Sequence, residues 1–381
     1  MDLRNLVSVS WGDHLEWGRG AARLASANDI RSCVAAWRDE LDAGAILWRE
    51  HRTVRELSRF FTEPGVSSRT PSTGREPVEV EDEHAVVVET AHAAGMQAYV
   101  YTTLFDEGWP ASLGWFGGLD ARQSNYVLFH PDHQLTDREG HPHHGVLCLG
   151  YDEVRRYLVG RVLWLVEQHG WDGVFLCTRS QSKPASFGDR YGFNAPIVER
   201  FRERSGVDIR QEDFDLEAWR RLQGEGLTEL LRELAAELHR RDLRLTVGIP
   251  RAEYLGPPVG NLHLDWSTWI DEGIVDGLVI DQVAAVCPST WLTMWPRDAG
   301  YGYVENHLAE GTRPPLVEDV SRRWGPAAAD AGATLHLARM WHQIDVPGDR
   351  RLSELPGVTG LVYSSFRWER DRDGRVPLWP G

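Results

Sequence analysis

Gly170-Trp171-Asp172-Gly173-Val174-Phe175-Leu176-Cys177-Thr178-Arg179-Ser180 is the stretch on which the fold turns. A helical pattern, Tyr151 to His169, runs into it through a short loop. Four apolar residues follow, and the run stops on a polar cluster. The same order recurs at Val275-Asp276-Gly277-Leu278-Val279-Ile280-Asp281-Gln282 and at Val358-Thr359-Gly360-Leu361-Val362-Tyr363-Ser364-Ser365-Phe366-Arg367. Strands covered on both faces read as unbroken apolar runs, as parallel sheets with outer helices require. Polar residues gathered at the strands' C-terminal ends mark where such folds place their chemistry.

Working outward, eight strands are expected: Leu6–Trp11, Ala45–Glu50, Gln97–Leu104, Asp172–Thr178, Arg244–Ile249, Asp276–Asp281, Thr334–Met340 and Gly360–Phe366. Pro315–Val320 competes with the seventh. Helical patterns lie between most of them, at Asn28–Asp42 with Asn28 as N-cap, Glu81–Ala94, Tyr151–His169 and Gly226–Arg241. The last carries Leu227, Leu230, Leu231, Leu234 and Leu238 on one stripe, the spacing of an amphipathic helix. Alternating strands and helices predict a parallel sheet, and eight of them predict closure into a (β/α)8 TIM barrel. The 381 residues suit one such barrel over 1–381, with loop insertions near 52–77, 180–222 and 284–315. Each insertion follows a strand, so long loops are expected on the C-terminal face, where they build a substrate cleft.

The formal charge is -16, which repels phosphate backbones and anionic membranes, so neither nucleic acid nor membrane is expected as a partner. No apolar run is long enough to span a bilayer. The N-terminus reads without a secretory leader, so a cytoplasmic location is expected. Four cysteines without paired spacing read as reduced thiols. The sole lysine, Lys183, sits in a polar loop, which disfavours Schiff-base chemistry. There is no Gly-rich phosphate loop and no Gly-x-Ser-x-Gly elbow. The histidines of His130-Pro131-Asp132-His133 and His141-Pro142-His143-His144 match no zinc spacing. No metal and no cofactor are expected.

The strand ends supply acids (Asp13, Glu50, Asp106, Glu107, Glu253, Asp281, with Glu318 a further candidate) and arginines (Arg49, Arg179, Arg251, Arg339, Arg367). Asp281 ends an apolar run, where an ionised group is costly unless it is used or paired. Such surroundings also raise a carboxyl pKa, as a general acid needs. Asp281, with Glu253 or Glu50 as partner, is the expected catalytic pair. Arginine forks suit an anionic group on the substrate, and Arg179, Arg251 and Arg339 are expected to meet one. Surface or structural pairing is the competing reading for each of these charges. The chain has 17 tryptophans, and several fall near strand ends. Trp109, Trp295 and Trp341 are expected to stack on sugar rings, beside Glu107 and His342.

Phe129-His130-Pro131-Asp132, Asp137-Arg138-Glu139-Gly140, Asp152-Glu153-Val154-Arg155 and Gly170 to Leu176 together resemble barrel glycoside hydrolases of the "family 10-like" group, over roughly residues 125–282. The resemblance implies a barrel that hydrolyses a glycosidic bond with paired carboxylates, on an oligosaccharide or glycoside. Two positions depart from it. Cys177 stands where that group carries an acid after the fourth strand, and Arg339-Met340-Trp341-His342 lacks the glutamate many retaining barrels use. The expected function is therefore a carbohydrate-active hydrolase, with uronate- or sulfate-bearing saccharides favoured by the arginines. A lyase or isomerase acting on a uronate-like sugar, or a saccharide-binding barrel without catalysis, are the alternatives.

Overall fold

The computed structural model describes residues 5–9, 24, 26–50, 82–109, 122–178, 185, 187–256, 259–280, 314–339 and 346–364. Eight parallel strands close into a barrel: β1 Asn5–Val9, β2 Ala43–Arg49, β3 Gln97–Thr103, β4 Gly173–Cys177, β5 Arg244–Ile249, β6 Gly277–Ile280, β7 Thr334–Arg339 and β8 Gly360–Ser364. Each neighbours the next in sequence, and β8 returns to β1 with Val362 opposite Leu6. Among the described residues, the main helices after β1 to β7 are α1 Ala27–Leu41, α2 Glu83–Ala93, α3 Asp152–Val166, α4 Leu216–His239, α5 Trp266–Asp271, α6 and α7 Val346–Ser353. Helix α6 is composite: Leu316–Asp319 and Gly325–Ala331 flank a π-helical turn, Val320–Trp324.

The period of two sorts each strand's residues into two cores. Leu6, Ala45, Leu47, Tyr99, Tyr101, Phe175, Cys177, Val279, Ala338 and Val362 fill the barrel. Tyr101 meets Phe175 edge-on at 4.9 Å, a favoured arrangement of aromatic quadrupoles. The alternate residues, among them Ile46, Trp48, Val100, Leu176, Val247 and Leu278, join the helices in one larger core. The barrel is thus a packed body whose free space lies beyond its strand ends.

The recurrent Asp-Gly before the apolar runs has a physical cause. Asp172 accepts from the Ala98 amide at 2.8 Å and meets His92 Nε2 at 2.9 Å. Asp276 accepts from the Leu245 amide at 2.7 Å and meets His239 Nε2 at 3.0 Å. Thr359 does the same for Leu335, and Asn5 for Leu361, each at 3.0 Å. In all four cases the residue before or at a strand's start clasps the second amide of a neighbouring strand at the barrel's N-terminal end: the preceding strand in the chain for Asp172, Asp276 and Thr359, and the last strand for Asn5. The following glycine has little choice: a Cβ on Gly173 would lie 2.6 Å from the Tyr99 ring, and one on Gly277 would lie 2.1 Å from Thr334 Oγ1.

All eight expected strands form; β1 and β2 begin one and two residues earlier than expected, and the other ends that fall within the described residues agree to within one residue. Pro315–Val320 is the entrance to α6 rather than a strand. Helix α1 is capped by Ser26, whose hydroxyl accepts from Asp29 N, rather than by Asn28. Helix α4 begins ten residues before Gly226, because Asp215 caps it and Trp219 and Leu222 already bury. Gly224 and Gly226 lie inside this helix at close-approach positions: added Cβ atoms would meet His263 O at 2.3 Å and Leu149 O at 3.0 Å. Antiparallel pairs 134–136 with 142–147 and 254–256 with 260–263 extend the connections after β3 and β5. Among the described residues no helix is long and apolar enough to cross a membrane.

Candidate functional site

Inward residues at the C-terminal strand ends define the mouth of the barrel. Ser8 comes from β1, Arg49 from β2, Thr103 from β3 and Cys177 from β4, all buried. Arg49 follows Ala45 and Leu47 on the inward face, and its guanidinium lies 5.6 Å over the Tyr101 ring. Its Nη2 donates to Asp106 Oδ2 at 3.2 Å and to Thr103 Oγ1 at 3.4 Å. The side chains of Arg49 and Asp106 are each only 6% exposed. Burying such a pair costs desolvation of both charges, so it is weak evidence for stability and stronger evidence for a use.

One residue further along, the chemistry reverses. Glu50 and Thr102 fall on the helix-facing side, where Thr102 donates to Glu50. Arg161 of α3 donates to Glu107, to Thr102 Oγ1 at 3.0 Å and to the Thr103 carbonyl at 2.9 Å. It also lies 3.8 Å from Glu50 Oε1. Tyr157 donates to Glu107 Oε2 at 2.9 Å. Glu50 and Glu107 are therefore together, buried, and turned toward the helical layer instead of the mouth. A stacked run, Tyr157–Tyr126 at 4.0 Å and His130–His133 at 5.1 Å, continues outward from them. Burial, then Glu153 and Asp132, push the Tyr126 hydroxyl up to about 12, so it stays protonated. It meets His133 Nδ1 at 2.8 Å, and burial holds His133 below the usual histidine range.

The rim beside β5 and α6 holds a third group. Arg251 donates to Asp319 at 2.6 Å and to the Pro314 carbonyl at 2.9 Å. Glu253 pairs with Arg323, which sits in the π-turn with its guanidinium 5.2 Å over Trp266 and 5.1 Å over Trp324. Burial and the positive charge of Arg251 disfavour the Arg323 cation, and Glu253 supplies a counter-charge. Glu253 remains 39% exposed, unlike Glu50 at 5%. Arg339 donates to Asp349 of α7 at 2.8 Å, away from the barrel axis. Asp281, Arg179, Trp295, Trp341 and His342 lie outside the described residues, as does the side chain of Trp109.

Asp137, Glu139 and His141 bring ligand-type atoms within 4.8 Å of one another. Asp137 is already engaged there: it accepts from the His141 amide at 2.7 Å and meets His141 Nδ1 at 3.2 Å and Arg190 at 3.6 Å. Burial alone would raise its carboxyl, but the His141 bonds and Arg190 hold it below the usual range. This is the chemistry of an ion-paired turn.

The structure thus separates the expected site residues into an outward group (Glu50, Glu107), a rim group (Arg251, Glu253) and Arg339 against α7. It adds Arg49 with Asp106 at the mouth, Arg161 beneath Glu50 and Glu107, and Arg323 against Glu253. Arg49 and Asp106 belong to the charged strand-end sets, and the alternation that begins at Ala45 is the signal that singles Arg49 out. Arg161 has no local signal, since it sits 54 residues from Glu107 on a helix.

No protein-family model matches the chain, and no curated protein matches it. Solved structures do. The PgaB (BpsB) glycoside hydrolase domain from Bordetella bronchiseptica aligns over 97% of this chain and 96% of its own, at 13% identity and a TM-score of 0.53. Alpha-L-fucosidase isoenzyme 2 from Paenibacillus thiaminolyticus aligns over 98% of this chain and 50% of its own, at 11% identity and a TM-score of 0.50. At such identities the likeness establishes the barrel fold alone.

Proposed function

We propose that the chain is a barrel carbohydrate hydrolase that cleaves a glycosidic bond at the C-terminal mouth, on a saccharide bearing a uronate or sulfate. The observation that carries this reading is the mouth itself: a closed parallel barrel with a buried, inward arginine–aspartate pair at its strand ends. The similarity in fold to two glycoside-cleaving proteins supports it. Asp281 is proposed as one catalytic carboxylate. It ends the apolar run Leu278-Val279-Ile280 in the sequence, where an ionised group is costly unless it is used or paired. Glu253, exposed on the rim and held by Arg323, is the partner. Glu50 does not carry forward, because its carboxylate faces Arg161. One carboxylic acid gives its proton to the glycosidic oxygen, while the other carboxylate activates water or attacks the sugar carbon. A separation of about 5–5.5 Å selects retention, and about 6.5–9.5 Å selects inversion. Arg179 and His342 orient the substrate, and Trp109, Trp295 and Trp341 stack on its rings; Arg251 is tied to Asp319 instead.

The test is Asp281→Asn against wild type on neutral and anionic oligosaccharides, with products followed by mass. Turnover falls by about 10²–10⁴-fold while circular dichroism stays unchanged. Undiminished turnover removes Asp281 from the mechanism. An unsaturated product in place of an added water assigns a lyase. Cys177, inward at the end of β4 and 0% exposed, favours a second reading, a saccharide-binding barrel. That reading predicts a tryptophan fluorescence response to sugar with no product.

A further inference from the structure

We infer that Arg49 is the residue that recognises a carboxylate on the substrate's sugar ring, and that Asp106 and Thr103 hold it in place for that task. The inference rests on the hydrolase reading for the identity of the ligand, but its geometry stands alone.

Three arginines at described strand ends contrast with one another. Arg339 is bound to Asp349 of α7 and Arg251 to Asp319 of α6, so both serve the helical layer. Arg49 lies on the inward face, over Tyr101, a member of the barrel's interior core. A guanidinium has five N–H donors. Arg49 uses Nη2 toward Asp106 and Thr103. Among the described residues, Nε and Nη1 donate to no oxygen. Those donors are open to a further acceptor, and the side chain belongs to the inward set at the strand ends, where a barrel of this kind receives its ligand. The contact to Thr103 is long, 3.4 Å, so an incoming oxygen displaces it at small cost.

Asp106 has a definite part. It fixes the guanidinium through a charge-assisted hydrogen bond, and it partly neutralises it. A second anion bound to Arg49 therefore feels repulsion from Asp106, and the site is tuned for release as well as capture. A carboxylate fits better than a neutral hydroxyl, because only an anion gains from a cation in a low-dielectric pocket. Its plane also matches that of the guanidinium.

The pair gives two substitutions with effects of opposite sign, which a merely structural ion pair does not. The full chain is titrated with glucuronate, glucose 6-sulfate and glucose, followed by calorimetry, for wild type, Arg49→Lys and Asp106→Asn. Wild type is expected to bind glucuronate at least about tenfold more tightly than glucose. Arg49→Lys removes most of that preference. Asp106→Asn strengthens glucuronate binding by about threefold or more, because it removes the competing negative charge. Equal affinity for glucuronate and glucose in wild type overturns the inference, as does a preference that survives Arg49→Lys. Tighter binding of the sulfate than of glucuronate overturns the carboxylate assignment. If Arg49→Lys fails to fold, Asp106→Asn decides alone, since weakened or unchanged glucuronate binding contradicts the inference. The hydrolase reading fails separately, by absence of product. Cleavage of neutral glycosides with no anion preference sinks Arg49 and leaves hydrolysis standing.

Discussion

Two dipeptides, Arg49-Glu50 and Asp106-Glu107, each send one side chain into the barrel mouth and the next into the helical layer. Inside, the cation comes from β2 and the anion from the segment after β3. Outside, both anions come from those same segments, and the cation is Arg161 from α3. The outer group makes more contacts, although Arg161 Nε is buried without an acceptor among the described residues. Arg161 holds Glu107, Thr102 and the Thr103 carbonyl, and Tyr157 completes Glu107. In the inner group, among the described residues, Arg49 donates through Nη2 alone. Adjacent charged residues therefore divide into scaffold and candidate site: strand alternation turns Arg49 inward, and the bend after β3 separates Asp106 from Glu107.

The comparison breaks most readily at its outer half. Arg161→Met leaves Glu107, 1% exposed as a side chain, buried without its counter-charge. Urea unfolding should show a loss of about 3–5 kcal/mol, and an unchanged midpoint would remove Arg161 from the scaffold. Glu107→Gln keeps the shape and loses the charge, so it should cost less, about 1–3 kcal/mol. The ratio of glucuronate to glucose affinity should stay at the wild-type value. A change in that ratio would break the division between the two faces, because the matched inner substitution, Asp106→Asn, is the one expected to move it. The smallest effect concerns acid. Burial lowers the pKa of His133, beside the outer group, and of His263 on the hairpin after β5, where Arg221 adds to it. The folded state then binds fewer protons than the unfolded chain below the ordinary value of 6.5. Stability is full above that value and declines as pH falls from it toward the lowered values. Thermal midpoints measured from pH 7.5 down to 5 should fall, and His133→Gln should flatten part of the slope.

The barrel was legible in the sequence because its strands are covered on both faces. Leu278-Val279-Ile280 and Val174-Phe175-Leu176 have no polar side to blur the pattern, and Asp-Gly marks where two of them start. Helix starts were less legible. Asn28 reads as a cap, but Ser26 accepts from Asp29 N, and the pattern read as starting at Gly226 belongs to a helix that starts at Leu216. The charged residues divided more sharply still. Their presence at strand ends follows from the sequence, and their direction does not, because a shift of one residue exchanges the faces. Glu50 and Glu107 were expected in the cleft and lie with Arg161, while Arg49, one residue away from Glu50, turns inward. Arg323 is legible only once the π-turn of α6 is seen to aim it at Glu253.

The clasps at the foot of the barrel give the fold a reading direction. Asp172 marks where β3 must lie, Asp276 where β5 must lie and Thr359 where β7 must lie, so in each case a later segment carries an address for an earlier strand. As the chain leaves a ribosome, its partner in each of these bonds has already been made. Asn5 is the exception: its address is Leu361, 356 residues downstream. Its other face is fastened to the Leu41 carbonyl at 2.8 Å, so the first strand waits, held to the second, for the last. A permuted chain opened between β4 and β5 would turn the order around, making Asn5–Leu361 a short-range latch. It would leave every other clasp within one half or the other, and a half-barrel of β1 to β4 would carry only the Asp172 clasp with which to hold its shape.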